Sequence, residues 1–392
     1  MKILAWTSTI DMKFRMGPTI AWWQLLKALH ELGHEVIMTP YLGQLIETPW
    51  WRAYPNPCRL ESEMYNWYLD KKDMRSVGFA GNDSHSHSIF SKISYWFIDY
   101  HIRPAWEKHF IRICEREKPD ALLVLSVPLN HIMGIPAKIR QTFMMPVIYY
   151  DTDLPMSLPD FADQSAFKFS MYEKVDISEY DLFLSCSKGI LPRLVEMGAR
   201  RANHLYFAAD PNLFVPINIE KDVDIFYYGH RSAGKEVRMD YMLKEPSLIM
   251  TENSFYVGGK EFNIDDIGKA RVAGTMPLNV WRNWCNRSRI NLNITKDTDA
   301  RIYGSSSARP FELAAMGCCI VSDAYEGMNE WFEEGNELCI AKDVEQAISL
   351  YTDLLSDGIA RERMGKAARE RVLAEHTYRH RGSHLVDLIT SL

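Results

Sequence analysis

The stretch Arg301–Asp323, RIYGSSSARPFELAAMGCCIVSD, decides the reading of this chain. Gly304 to Ser307 form a loop of little side-chain bulk, which lets a ligand approach backbone N–H groups. Pro310 suits the first turn of a following helix, where its missing N–H is not needed. A helix start offers unpaired N–H groups and about half a unit of positive charge, so it attracts phosphate. Glu312 sits one turn further in, where a carboxylate can accept hydrogen bonds from sugar hydroxyls. Gly317 ends the helix, and the apolar run Cys318–Val321 reads as a strand. This order of groups suits a molecule that carries both a diphosphate and a ribose.

Strand-like and helix-like segments alternate on both sides of this stretch. Lys2–Trp6 reads as a buried strand, Pro18–Leu32 has helical apolar spacing, Gly33 stops it, and Glu35–Met38 starts a second strand. That succession is a βαβ unit. Further strands are expected at Ala121–Leu125, Pro146–Tyr150, Asp181–Ser185 and Leu205–Ala208, with a helix from about Lys188 to Gly198. Asp210–Asp222, with two prolines and several charges, reads as a linker. A second series follows at Asp224–Tyr228, Phe255–Val257, Ile290–Ile294, Cys318–Val321 and Leu338–Ile340, then a helix over roughly 343–356 and a charged helical tail from Gly358. The expected organisation is α/β: domains at 1–215 and 222–375 and a tail at 376–392.

Residues 44–110 break the alternation with a helical insertion rich in Trp and Tyr, among them Trp50, Trp51, Tyr65, Trp67, Tyr68, Tyr95, Trp96, Tyr100 and Trp106. These rings either pack on each other and on the sheet or form a platform on which an acceptor stacks. His85 and His87 fall in the polar stretch Gly78–Ser88 and read as part of a solvated loop rather than a metal site.

The stretch 301–323 resembles the donor-binding motif of GT-B glycosyltransferases, above all the branch related to the spore-maturation protein CgeB and, more distantly, the family 4 retaining enzymes. The CgeB-like pattern Arg, any residue, Phe, Glu is matched by Arg309, Phe311 and Glu312. Family 4 enzymes carry Glu, seven residues, Glu. Glu312 matches the second, whereas the first falls at Gly304, so the residue that helps bind the donor sugar there is missing. The tail segment HTYRHR (376–381) is also similar to the CgeB-like pattern, and the loop Met16-Gly17-Pro18 is similar to the glycine-bearing loop that opens these enzymes. The resemblance implies two Rossmann-like domains facing across a cleft, and transfer of a sugar from a nucleoside-diphosphate donor to a hydroxyl acceptor. It implies retained configuration, with no cofactor and no metal ion required.

Such a reaction needs the diphosphate charge neutralised, an oxocarbenium-like transition state tolerated and the acceptor proton removed. Diphosphate ligands are expected in Arg231 and Lys235, with Arg238 as a rival for Lys235, in Gly17, in Arg309 and in the N–H groups of Ser306, Ser307 and Ala308. Glu312 is expected at the ribose, and Met276, Pro277 and Leu278 at the base. Asp151 and Asp153 follow an apolar strand and are the expected catalytic pair, either steadying positive charge on the sugar or accepting the acceptor proton. Asp-x-Asp also suggests the metal motif of GT-A enzymes, but a second βαβ series with its own donor motif speaks against that fold. His131 and His204 are lone histidines near strand ends, the former with some chance of lining the cleft.

Composition narrows the alternatives. A formal net charge of −6 argues against a broad nucleic-acid surface. Seven scattered cysteines with no CxxC pair indicate neither a zinc cluster nor a disulfide framework, which fits a reducing cytoplasm. No apolar run is long enough for a membrane span, while peripheral membrane contact stays open. The expected partners are a nucleotide sugar and a hydroxyl acceptor (a glycan, a lipid-linked acceptor or a small molecule). Two rival readings are a nucleotide-sugar epimerase, which needs acid/base groups on both sides of the sugar, and a non-catalytic nucleotide-sugar-binding or assembly protein.

Overall fold

An unbroken apolar run such as Ala121–Leu125 has no polar face to turn to water, so both faces must be covered by other elements. Two parallel sheets flanked by helices satisfy that demand. The computed structural model describes residues 1–9, 21–64, 96–158, 160–161, 171–229, 234–259, 262 and 264–392. In the first sheet lie β1 (Lys2–Thr9), β2 (Glu35–Leu42), β3 (Arg52–Ala53), β4 (Ala121–Leu125), β5 (Val147–Asp151), β6 (Leu182–Ser185) and β7 (Ala202–His204). Their spatial order is β3-β2-β1-β4-β5-β6-β7. The second sheet holds β8 (Val223–Tyr228), β9 (Phe255–Gly258), β10 (Arg271–Gly274), β11 (Ser288–Asn293), β12 (Ile320–Asp323) and β13 (Cys339–Ala341), in the order β10-β9-β8-β11-β12-β13.

Both sheets have the same doubly wound pattern, with the direction of winding reversing between β1 and β4 and between β8 and β11. A crevice forms at such a reversal, outside the carboxyl ends of the strands, and ligands bind there. Strand alternation sorts side chains between the two faces. Leu4, Trp6, Leu122 and Val124 pack on one face of the first sheet, and Ile3, Ala5, Leu123 and Ile148 pack on the other.

Described aromatics of the 44–110 segment largely enter this core. Trp106, on the helix Arg103–Glu117, lies 4.8 Å from Trp6 between ring centres, and Trp50 lies 5.1 Å from Trp23. Trp96 and Tyr100 are exposed, with their rings 5.5 Å apart. Tyr65, Trp67, Tyr68, Tyr95, His85 and His87 lie outside the described residues.

Several boundaries differ from the sequence expectation. Leu205–Ala208 is irregular, and the strand comes just before it as β7. Cys318 and Cys319 are buried but precede β12, because Gly317 turns the chain at φ +69° before the strand can pair. The edge strand β10 carries no apolar run; Arg271 and Val272 are exposed, so periodicity gave no sign of it. The tail breaks at His376-Thr377 into the helices Gly358–Glu375 and Tyr378–Thr390. The last helix crosses to the first domain, where Tyr378, Leu385 and Ile389 share an apolar cluster with Leu25 and Leu29. A Cβ on Gly382 would come within 2.9 Å of Leu32 Cδ1, so a glycine permits that close helix contact. No helix among the described residues is long and apolar enough to cross a membrane.

Candidate active site

The chain leaves β5 through a tight turn built around Asp151. This carboxylate is fully buried, and its Oδ1 accepts from the Asp153 N–H at 2.8 Å. Its Oδ2 accepts from the Ser157 and Tyr172 hydroxyls, each at 2.7 Å. Burial pushes its pKa up and the three hydrogen bonds pull against that rise. With both oxygens engaged inside the protein, Asp151 positions the turn and does not present a reacting group to the cleft, which corrects its expected place in a catalytic pair.

Asp153, held by that turn, opens into a cavity of about 300 Å³ between the two sheets. The first domain contributes Thr152, Asp153, Leu154, Met156, Cys186 and Phe207 to its lining. Lys296, Asp299 and the run Ser305–Ala308 come from the second. Solvent reaches the Asp153 carboxyl, but the surrounding protein desolvates it. That desolvation, together with the charges of Asp151 and Asp299, raises its pKa to about 6, while Lys296 opposes the rise. Burial also raises the Asp299 carboxyl, against the pull of Lys296 and Lys235.

Lys296 and Asp299 were not anticipated. Lys296 caps the short helix Asp297–Arg301 just after β11. β11 borders the point where the second sheet reverses its winding. The sequence showed an apolar strand ending near Ile294, but not that this strand is central. Knowledge of the strand order alone would have singled out the residues that follow it.

The Gly/Ser loop has a different use from the expected one. The Gly304 N–H goes to Glu326 O at 3.0 Å, Ser305 N–H to Ile302 O at 3.2 Å and Ser306 N–H to Cys186 O at 3.0 Å. Ser305 and Ser187 share a hydroxyl hydrogen bond of 2.7 Å, and the Ser306 hydroxyl donates to Cys186 O at 2.9 Å. The loop is thus a seam that joins the domains, and its residues are small because Tyr206 and the 186–189 backbone press against it. Ser306 lines the cavity but has no amide to offer a phosphate, a correction to its expected role. The open amides begin with the helix Ala308–Ala315, whose N-cap, Ser307, makes no side-chain capping bond. Ser307 and Ala308 both face the cavity.

The rivalry between Lys235 and Arg238 resolves on geometry. Arg238 bonds Asp297 at 2.8 Å, Asp323 at 2.7 Å and the Ala324 carbonyl at 2.8 Å, so its fork is occupied. Among the described residues Lys235 makes a single side-chain hydrogen bond, to the Tyr227 hydroxyl at 3.2 Å, and its charge is felt at Asp299. Gly17 and Arg231 lie outside the described residues.

Arg309 stacks over Trp281, 4.5 Å from the ring centre, and over Tyr228 at 5.1 Å. Its Nη1 donates to Glu312 Oε2 at 3.2 Å. Glu312 is buried, which raises its pKa against the pull of Arg309, and it does not itself line the cavity. Met276 is buried beside the same group, with its carbonyl taking the Tyr228 hydroxyl at 3.3 Å. Pro277 and Leu278 open the helix that carries Trp281. The structure thus gathers Arg309, Glu312 and Met276–Leu278 around one aromatic pair. His131 is bonded to Tyr41 at 2.7 Å and burial lowers its pKa to about 4; neither it nor His204 lines the cavity.

Two doubly wound sheets with a polar cavity between their facing strand ends define the GT-B fold. Residues 243–387 match the family model described as glycosyl transferase-like, and the chain as a whole has the GT-B fold. Similar solved structures span nearly the whole of both chains. Sucrose-phosphate synthase from Thermosynechococcus elongatus aligns with TM-score 0.65 and 13% identity, covering 100% of this chain and 99% of the other. HepE from Anabaena, in complex with UDP and glucose, aligns with TM-score 0.61 and 11% identity over 100% of both. T4 phage BGT, in complex with its UDP-glucose substrate, aligns with TM-score 0.57 and 13% identity, covering 100% and 99%. At these identities the likeness is one of fold. No curated protein matches the sequence.

Proposed function

We propose that this protein transfers a sugar from a nucleoside-diphosphate sugar, with UDP as the first nucleotide to test, to a hydroxyl acceptor. The observation that carries the reading is the cavity in which Asp153 of one domain and the uncapped helix start at Ser307-Ala308 of the other meet. The helix start, with Lys235 and Lys296 nearby, supplies positive potential for the diphosphate as charge grows on the leaving oxygen, so no metal ion is needed. Glu312 lies one turn behind, at the ribose end, and the Met276–Leu278 segment borders the base. Asp153 stands at the sugar and either steadies positive charge there or accepts the acceptor proton; a pKa near 6 suits a base that works at neutral pH. Retention of configuration rests on the resemblance to family 4. The relatives bound to UDP or UDP-glucose support the choice of nucleotide.

The test is incubation with a panel of nucleotide sugars, with and without EDTA, and measurement of free nucleotide. Slow release of one nucleoside diphosphate, unaffected by the chelator, supports the proposal. A thermal shift with nucleotide but no release at any acceptor concentration turns the reading toward a binding module. Asp299 gives one specific reason to keep the epimerase alternative, because it places a second carboxylate in the cavity. An epimerase would convert the donor sugar in the absence of any acceptor, which analysis of the released sugar detects.

A further inference from the structure

The cavity presents two opposed kinds of group. Asp153 and Asp299 bring carboxylates, which when ionised only accept hydrogen bonds, one from each domain. The helix start at Ser307-Ala308 brings donors and positive potential. A phosphate is drawn to the second kind and repelled by the first, whereas a polyhydroxyl group has the protons that carboxylates accept. A ligand with a phosphate end and a sugar end therefore has only one favourable direction in this space.

Among the described residues, Asp299 is the member of this set whose carboxyl no hydrogen bond or ion pair engages. Asp151 is saturated by three donors, and Asp323 is paired with Arg238 and bonded by the Thr295 N–H at 3.0 Å. Among the described residues the Asp299 carboxyl makes no side-chain hydrogen bond and no ion pair within 4.0 Å, yet it lines the cavity and feels both Lys235 and Lys296. The loop beside it has no room for an acidic side chain of its own. At Gly304 φ is +60°, and a Cβ there would meet the Tyr206 hydroxyl at 2.8 Å. The carboxylate that the second domain supplies to the cavity is Asp299.

We propose that Asp299 is a specificity-determining ligand of the donor sugar: it accepts hydrogen bonds from hydroxyls of a neutral hexose and, with Asp153, excludes sugars that carry a carboxylate. This deepens the proposed function and rests on it. Two ionised carboxylates facing a uronic acid in a partly desolvated space repel it, while the same pair binds a hexose whose C6 bears a hydroxyl. Lys296 pulls against the rise in both acids' pKa and so favours the ionised forms on which the discrimination depends.

The experiment is calorimetric titration of the full chain with UDP, UDP-glucose and UDP-glucuronic acid, in the wild type, in Asp299→Asn and in Asp299→Glu. The wild type should prefer UDP-glucose to UDP-glucuronic acid by about tenfold or more, the range expected for one charge-assisted hydrogen bond gained against a like charge opposed. Asp299→Asn should narrow that ratio to about twofold by removing the repelling charge, with UDP affinity unchanged. Asp299→Glu should keep the exclusion. An unaltered ratio in Asp299→Asn with intact UDP binding overturns this inference alone. Loss of UDP affinity in Asp299→Asn places the residue at the phosphate end and overturns it too. Failure of the wild type to bind UDP at all removes the UDP-sugar reading beneath it.

Discussion

Replacing Asp153 with Asn separates the chemistry of this site from its architecture. The side chain keeps its size and loses its charge. A carboxyl with a pKa of about 6 is ionised in about nine molecules of ten at pH 7 and about one in ten at pH 5. If the ionised form is needed, turnover of the wild type should fall about eightfold to tenfold between those pH values. Asp153→Asn should lower kcat by about 10²–10⁴-fold, the usual contribution of a positioned acid or base, and its residual rate should be flat across the same range. Stability should move the other way. The folded pKa lies above the ordinary carboxylate value, so the stability that Asp153 contributes declines as pH rises from about 4 to about 6 and stays low above it. The Asn variant should therefore melt at the same temperature as the wild type or higher at pH 7.5. Nucleotide release against pH, with a melting curve on the same samples, checks both. A kcat within about threefold of wild type, or an acid limb that persists in the variant, would refute the argument.

The same frame yields contrasting outcomes elsewhere. Asp151→Ala strands the Tyr172 and Ser157 hydroxyls and the Asp153 N–H, at about 1–3 kcal/mol for each buried donor, so the melting temperature should drop by several degrees. Arg238→Ala leaves the Asp323 carboxylate buried without its cation and should cost about 3 kcal/mol or more by denaturant titration, whereas Lys235→Ala should weaken nucleotide binding with little change in stability. Glu312→Ala should weaken nucleotide binding by calorimetry; unchanged affinity would remove it from the ribose site. That result would recast Glu312 as the counter-ion that fixes Arg309.

Much of this protein can be read in one dimension. Alternating apolar runs and helical spacing determine two parallel-sheet domains, because a strand buried on both faces must be apolar throughout and the helices between must hide one stripe. The resemblance at Arg309, Phe311 and Glu312 points to a donor site in the second domain, and a carboxylate after β5 points to the cleft. Tertiary structure decided which of these residues can act. Asp151 and Asp153 are equivalent in sequence, but one is spent on holding the turn and the other faces the cavity. Three amides of the Gly/Ser loop bond carbonyls that lie from three to 120 residues away in sequence, and no local pattern reports the distant partners. Lys296 and Asp299 matter because β11 is central in its sheet, and strand order is set by which chain segments pack together in space rather than by any property of the segment itself.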